Sequence, residues 1–276
     1  MKKIFTTLFC TAMAMAAVAQ TNVWVWKNGV AVKTTLADSI TFAEPNLTDF
    51  YHDGTEDRYN YVDLGLTSGT KWATCNVGAN KPQDYGDYYA WGEVTTKETY
   101  NWSTYKYGSA YNQLTKYCSS SSYGKDGFTD SKTTLDLSDD AAYVNWGGKW
   151  RMPTKAQQDE LRSECYWVWT ESYNYSDVKG YIVYKAKNSS EKGKCIYKGE
   201  NPSLFYSLSD AHIFLPVAGY RDEGDLADAG SSGIYCSSLL VSGYPGSAWG
   251  INFGSDGVYG SNIDRYYGMS VRAVFK

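Results

Sequence analysis

The chain has 276 residues, with 26 Lys and Arg against 30 Asp and Glu, a formal net charge of −4. So slight an acidic balance leaves no broad basic surface to gather phosphates, and no nucleic-acid partner is expected. Beyond residue 19 no stretch approaches the roughly 18 consecutive apolar residues that a spanning helix needs, so the chain is not expected to be membrane-spanning.

Met1-Lys2-Lys3 is a basic start, Ile4 to Val18 is an apolar run, and Ala17-Val18-Ala19 is a small-x-small cleavage site before Gln20. Residues 1–19 therefore read as a secretory signal peptide. Phe9 stands before Cys10 where a lipoprotein signal has a small residue, so lipidation is not expected. The mature product is expected to be exported across the inner membrane of a Gram-negative bacterium, secreted or held at the cell surface. Five cysteines remain after cleavage: Cys75, Cys118, Cys165, Cys195 and Cys236. Export permits disulfides, but five is odd and no CxxC occurs. One or two bridges and free buried thiols acting as small hydrophobes both stand as readings.

Residues 20–44 read as a small N-terminal β-hairpin unit. Val23-Trp24-Val25-Trp26 leads into Lys27-Asn28-Gly29, Asn-Gly being a favoured two-residue turn, and residues 30–32 return. Ser39-Ile40-Thr41-Phe42 is a further short strand. Two strands alone are marginal, so this unit is expected to dock on the main domain or on a surface partner. Residues 45–58 are polar, with Pro45 and Gly54, and read as a linker.

The main domain is expected over residues 59–276. Residues 61–66 and 71–77 are strand-like and joined by the turn Thr67-Ser68-Gly69, and residues 88–93 form another strand-like run. Residues 100–136 are a long Tyr- and Ser-rich insertion with few periodic apolar positions, read as a decorated loop region. Ser138, with Asp139 and Asp140 in the first turn, predicts the start of a helix that Gly147-Gly148 stop. Thr154 followed by Gln157 three residues later predicts a capping box for a second helix. Residues 181–184, 213–216, 234–236, 249–253 and 269–275 are expected strands, with Trp249, Ile251 and Phe253 turned to one face. Two helices among many short strands and long loops give an α+β fold with an antiparallel sheet.

Three blocks punctuate the second half: Trp150-Arg151-Met152-Pro153-Thr154, the run from Leu215 to Arg221, and the run from Gly268 to Val274. Together they resemble the Trp-Arg-(Leu or Met)-Pro-Thr, Leu-Pro-x-Ala-Gly-Tyr-Arg and Gly-x-Ser-Val-Arg-x-Val signatures of bacterial C-type lectin-like domains. The resemblance runs from about Tyr61 to the C-terminus, with Cys236 where an aromatic is usual. It points to the Fibrobacter succinogenes major paralogous domain group, and is similar to the variable proteins of diversity-generating retroelements. The resemblance implies a C-type lectin-like fold, two helices with a twisted antiparallel sheet and long loops. It also implies a ligand-binding face between Tyr235 and Tyr267.

The residues offer four kinds of chemistry. Asp222, Glu223, Asp225 and Asp228 crowd one Gly-containing loop where hard oxygen ligands suit calcium. Their spacing is not that of an EF-hand, and the Glu-Pro-Asn and Trp-Asn-Asp motifs of sugar-binding lectins are missing, so a solvated acidic loop is preferred. The two histidines, His52 and His212, are too few for a histidine zinc site, and His212 is read as structural. Formylglycine-generating enzymes are a related fold with redox-active cysteines, but the residues around Cys195 and Cys236 do not match their pattern. Neither a metal nor a cofactor is expected, and no catalytic residue is assigned. Tyr244, Asn252, Asp256, Tyr259, Asn262, Asp264 and Tyr266 lie among Gly and Ser. Aromatic faces for stacking and amide or carboxylate groups for directional hydrogen bonds make these seven the candidate ligand-binding residues. The expected function is a non-enzymatic, exported module that binds a protein or carbohydrate ligand through its C-terminal loops. The alternative is a structural or assembly component of the bacterial cell surface, with the N-terminal hairpin docked on a partner.

Overall fold

The computed structural model describes residues 22–27, 30–35, 50–202 and 205–276. The chain divides into two units, Met1–Asn46 and Leu47–Lys276. The expected signal peptide, the Asn28-Gly29 turn and the strand at 39–42 lie outside the described residues. In the first unit β1 (Asn22–Lys27) pairs antiparallel with β2 (Val30–Thr35), Val25 facing Val32 and Lys27 facing Val30. That register leaves two residues to connect the strands, as the sequence predicts.

The second unit is mixed α+β, mostly strands with two α-helices. β3 (Gly54–Glu56) pairs antiparallel with β4 (Tyr59–Val62), which pairs with β5 (Lys71–Ala73). The C-terminal strand β15 (Val274–Phe275) adds to the far side of β5. The segment expected to be linker through residue 58 is thus already in a sheet at Gly54. Its polar character belongs to a tight turn, in which Asp57 and Arg58 both take positive φ, 44° and 74°.

β6 (Cys165–Thr170), β7 (Gly180–Lys185), β8 (Cys195–Ile196) and β9 (His212–Pro216) form a four-stranded sheet in the order β8-β6-β7-β9. Its ladders are antiparallel except β6 with β8, which run parallel. Both faces are covered. Trp167, Tyr181, Val183, Ile213 and Leu215 face one core, and Tyr166, Val168, Ile182, Tyr184 and Phe214 face another. Alternate residues therefore enter different cores, so the strand reads as a continuous apolar run rather than an alternating one. His212, one residue before the expected strand, opens β9, its Nε2 2.9 Å from the Tyr173 hydroxyl and its Nδ1 2.8 Å from the Asp210 carbonyl. Burial holds it below its ordinary pKa.

β10 (Tyr220–Asp222) and β11 (Asp225–Ala227) form a short hairpin. β12 (Gly233–Leu240), β13 (Ser247–Gly254) and β14 (Gly257–Asp264) form an antiparallel meander. The expected single antiparallel sheet is thus several small ones. β14 has no counterpart among the sequence expectations: only Gly257 and Ile263 are buried along it, so no period-2 signal exists to read. Conversely, residues 88–93 carry no strand, only a bridge from Tyr89 to Met269.

α1 (Ala141–Trp146) is capped by Asp140, not Ser138, because the buried Asp140 carboxylate accepts from Tyr143 N and also from Met152 N. α2 (Lys155–Glu164) starts with the predicted Thr154–Gln157 capping box. The three blocks are the stitching between these parts. Trp150 is fully buried and donates its indole N–H to Glu56 O, Arg151 pairs with Val274, and Pro153 O accepts from Ser238 N. In the second block, Pro216 O and Ala218 O accept the hydroxyls of Tyr235 and Tyr88. In the third, the buried Arg272 donates to Asn76 Oδ1 and to the carbonyls of Ala73, Thr74 and Phe214.

Candidate functional site

The insertion at 100–136 contributes core as well as loop. Tyr100, Tyr105, Tyr107 and Tyr117 are buried with Trp91 against the meander residues Leu240, Ala248 and Ile263. Two polar hubs fix it there. Asp139 is buried and accepts from Tyr107 Oη and Tyr117 Oη, both at 2.6 Å, and from Lys116 Nζ. Burial opposes ionisation of Asp139, yet the hydrogen bonds from Lys116, Tyr107 and Tyr117 outweigh it and hold its carboxyl below the usual range.

The second hub is Arg265, which is fully buried immediately after β14. Its Nε donates to Tyr105 Oη at 2.8 Å, Nη1 to Tyr117 O and Pro245 O at 3.0 Å each, and Nη2 to Lys116 O at 3.1 Å. Its guanidinium also lies over the rings of Trp91 (4.9 Å) and Tyr105 (5.2 Å). A planar fork with five fixed donors can satisfy all four acceptors at once, whereas a lysine ammonium has only three donors on one nitrogen. One side chain therefore ties the insertion at 116–117 to residues 241–246, the connection between β12 and β13. Ser119 Oγ adds a bond to Ser242 O. A Cβ at Gly246 would sit 3.2 Å from that of Tyr111, so the two segments are in direct contact.

What this anchoring presents to solvent is a cluster of three tyrosines. Tyr111 and Tyr244 are 49% and 40% exposed, large values for rings this size, and Tyr123 is half-buried between them. Centroid separations are 6.5 Å for Tyr111–Tyr244, 5.5 Å for Tyr123–Tyr244 and 6.4 Å for Tyr111–Tyr123. The first pair is nearly parallel at 18°, while Tyr123 stands across Tyr244 at 83°. Asp264 lies beside the cluster, taking a 2.9 Å bond from Ser247 Oγ. Partial burial and then the Asp264 carboxylate push the Tyr244 phenol up from its ordinary value.

The seven residues expected from sequence do not form one site. Tyr244 and Asp264 lie at one end of the meander, where Asp264 faces Ser247. Asp256 occupies the β13–β14 turn at the other end, and Asn252 faces the exposed Tyr259 near it. Strands of eight residues separate the two ends by roughly 25 Å. Asn262 is exposed opposite Trp249, two residues before Asp264. Tyr266 is half-buried, packed on Trp102 (5.2 Å) and Tyr267 (4.5 Å). Tyr111 and Tyr123 were missed because their neighbour in space is over a hundred residues away. The signal available was only the tyrosine density of the insertion.

The other candidate chemistries have structural partners. All five described cysteines are free thiols, and Cys195 and Cys236 lie in different sheets. Burial pushes the Cys236 thiol up to about 12. Among the described residues no group of three or more His, Cys, Asp and Glu is placed to hold a metal ion. An open groove of about 650 Å³ runs between α2 and the C-terminus. Several of its ionisable groups are engaged: Lys149 pairs with Glu56 at 3.1 Å, Glu160 accepts from Ser68, and Asp140 caps α1. Arg151 stacks on Tyr143 at 4.3 Å. Among the described residues no helix is long and apolar enough to cross a membrane.

No protein-family model matches the chain, and no curated protein and no solved structure matches it significantly.

Proposed function

We propose that the chain is an exported, non-enzymatic binding module of the C-type lectin-like kind, engaging a protein or glycan through the loops around Tyr244. The observation that carries this reading is the exposed cluster of Tyr111, Tyr123 and Tyr244, held on two loops by the buried Arg265. Exposed aromatic rings on pre-organised loops give contact area at little entropy cost, because each ring has few torsions to freeze. The C-type lectin-like reading is supported by the two helices, the small sheets, the closing strand on β5 and the structural roles of all three motif blocks. The basic start, apolar run and cleavage site of residues 1–19 support export. The engagement of Asp140, Lys149, Arg151 and Glu160 in the groove supports a binding role over catalysis.

A glycan array and a surface-protein pull-down with the mature chain, with and without chelator, identify ligands to compare between variants. Changing Tyr111→Ala and Tyr244→Ala together is expected to reduce binding at least about tenfold, with the melting temperature nearly unchanged. Retained binding by the folded double variant contradicts the proposal.

A further inference from the structure

Resting on that binding reading, we infer that the tyrosine cluster receives a cationic side chain, a lysine or arginine of a protein partner, with Asp264 as its counter-charge. Three centroids only 5.5 to 6.5 Å apart form a small triangle. One ammonium or guanidinium seated above its centre lies within about 6 Å of every ring, the distance over which ring quadrupoles attract a cation. Two rings of like orientation with a third set across them offer more than a flat stacking face.

The fold itself uses this chemistry elsewhere. Arg151 lies 4.3 Å from the Tyr143 centroid, Lys187 4.6 Å from Tyr206, Lys106 4.7 Å from Tyr107 and Lys116 4.8 Å from Tyr117. Among the described residues no lysine or arginine lies over Tyr111, Tyr123 or Tyr244. The aromatic faces that the fold leaves to solvent thus carry no cation of its own.

Charge points the same way. Ser247, whose N–H bonds Tyr244 O at 2.9 Å, gives its hydroxyl to Asp264 at 2.9 Å, and burial followed by the charges of Glu223, Asp225 and Asp264 raises the pKa of Asp222. None of these four carboxylates forms an ion pair among the described residues. A neutral sugar laid on this rim would desolvate carboxylates without compensating their charge, whereas a cation does both. Charge complementarity and ring geometry therefore select the same ligand class.

The test uses the mature chain and five labelled probes: hexalysine, hexaarginine, an uncharged Gly-Ser peptide, and neutral cellulose- and chitin-derived oligosaccharides. Hexalysine and hexaarginine are expected to bind, and the uncharged probes not to. Tyr244→Ala weakens the cationic peptides about tenfold, whereas Tyr244→Phe, which keeps the ring face, stays within about threefold. Asp264→Asn weakens them several-fold and flattens the salt dependence. Tyr175→Ala, on an exposed ring of the β6–β7 connection, leaves binding unchanged. Melting curves of each variant separate lost contact from lost fold, and the Phe variant tests the ring even if an Ala variant is unstable. Equal hexalysine binding by wild type and by Tyr111→Ala/Tyr244→Ala overturns the inference, since attraction is then only to overall negative charge. Binding of a neutral oligosaccharide that the double variant abolishes, with no binding of the cationic peptides, overturns the inference but leaves the binding reading standing. No binding by any probe also overturns the inference.

Discussion

Replacing Arg265 by leucine is expected to destabilise the second unit by about 4 kcal/mol, through four oxygen acceptors left without a donor in a dry site. The acceptors are Tyr105 Oη and the carbonyls of Lys116, Tyr117 and Pro245. Relief from burying a charge offsets part of that loss, which is why the total falls below the sum of four separate penalties. A domain of this size converts such a change to a fall in melting temperature of roughly 8–16 °C, measurable by calorimetry. Arg265→Lys is expected to lose nearly as much, because an ammonium has three donors clustered on one nitrogen and cannot reach all four acceptors arrayed around the planar fork. A second readout follows from the anchoring. Trypsin should cut the variant after Lys116 or Lys125 far faster than wild type, because the insertion loses its tie to residues 241–246. A lysine variant with native stability and native protease resistance contradicts the assigned role.

Gly219→Ala is the other large effect. This glycine sits in the second motif block with φ of 65°, a left-handed conformation that costs a residue with a Cβ about 1–3 kcal/mol. Steric conflict is worse than the dihedral. An added Cβ would lie 2.1 Å from Ala227 O and 2.6 Å from Ala229 N, both backbone atoms that cannot rotate away. Gly219 N also donates to Ser232 O at 2.7 Å, so the chain cannot back off without breaking the entry to β12. Strain and overpacking together come to about 4 kcal/mol, expected as a cooperative loss in chemical denaturation with the m-value unchanged. Wild-type-like stability would show that the β10–β11 hairpin is free to shift, against the geometry described.

The two helix caps show what a sequence can carry. The Thr154–Gln157 capping box is local, its partners three residues apart, and it forms as read. The cap of α1 is different. Ser138, Asp139 and Asp140 all suit an N-cap, and the choice falls to Asp140 because Met152 N, twelve residues on, shares its carboxylate. Asp139 is instead drawn to Tyr107, Lys116 and Tyr117, contacts of 22 to 32 residues that no spacing rule encodes. β14 fails for another reason, since a strand with solvent along most of its length has no alternation to display. The candidate site was legible in part. Tyr244 and Asp264 were identified by composition, but Tyr259 and Asp256, chosen on the same grounds, belong to the opposite end of the meander. Tyr111 and Tyr123 join the site only because a buried arginine 140 or more residues later, counting from Lys116 and Tyr117, gathers the loops that bear them.

The most direct measurement is ring-to-ring cross-relaxation in the chain carrying 13C-labelled tyrosine rings, assigned with Tyr→Phe variants at 111, 123 and 244. Cross-peaks joining all three rings are expected, since their centroids lie within 6.5 Å of one another. A Tyr244 ring that shows no cross-peak to Tyr111 or Tyr123 would mean that the insertion and the β12–β13 connection do not build a common surface.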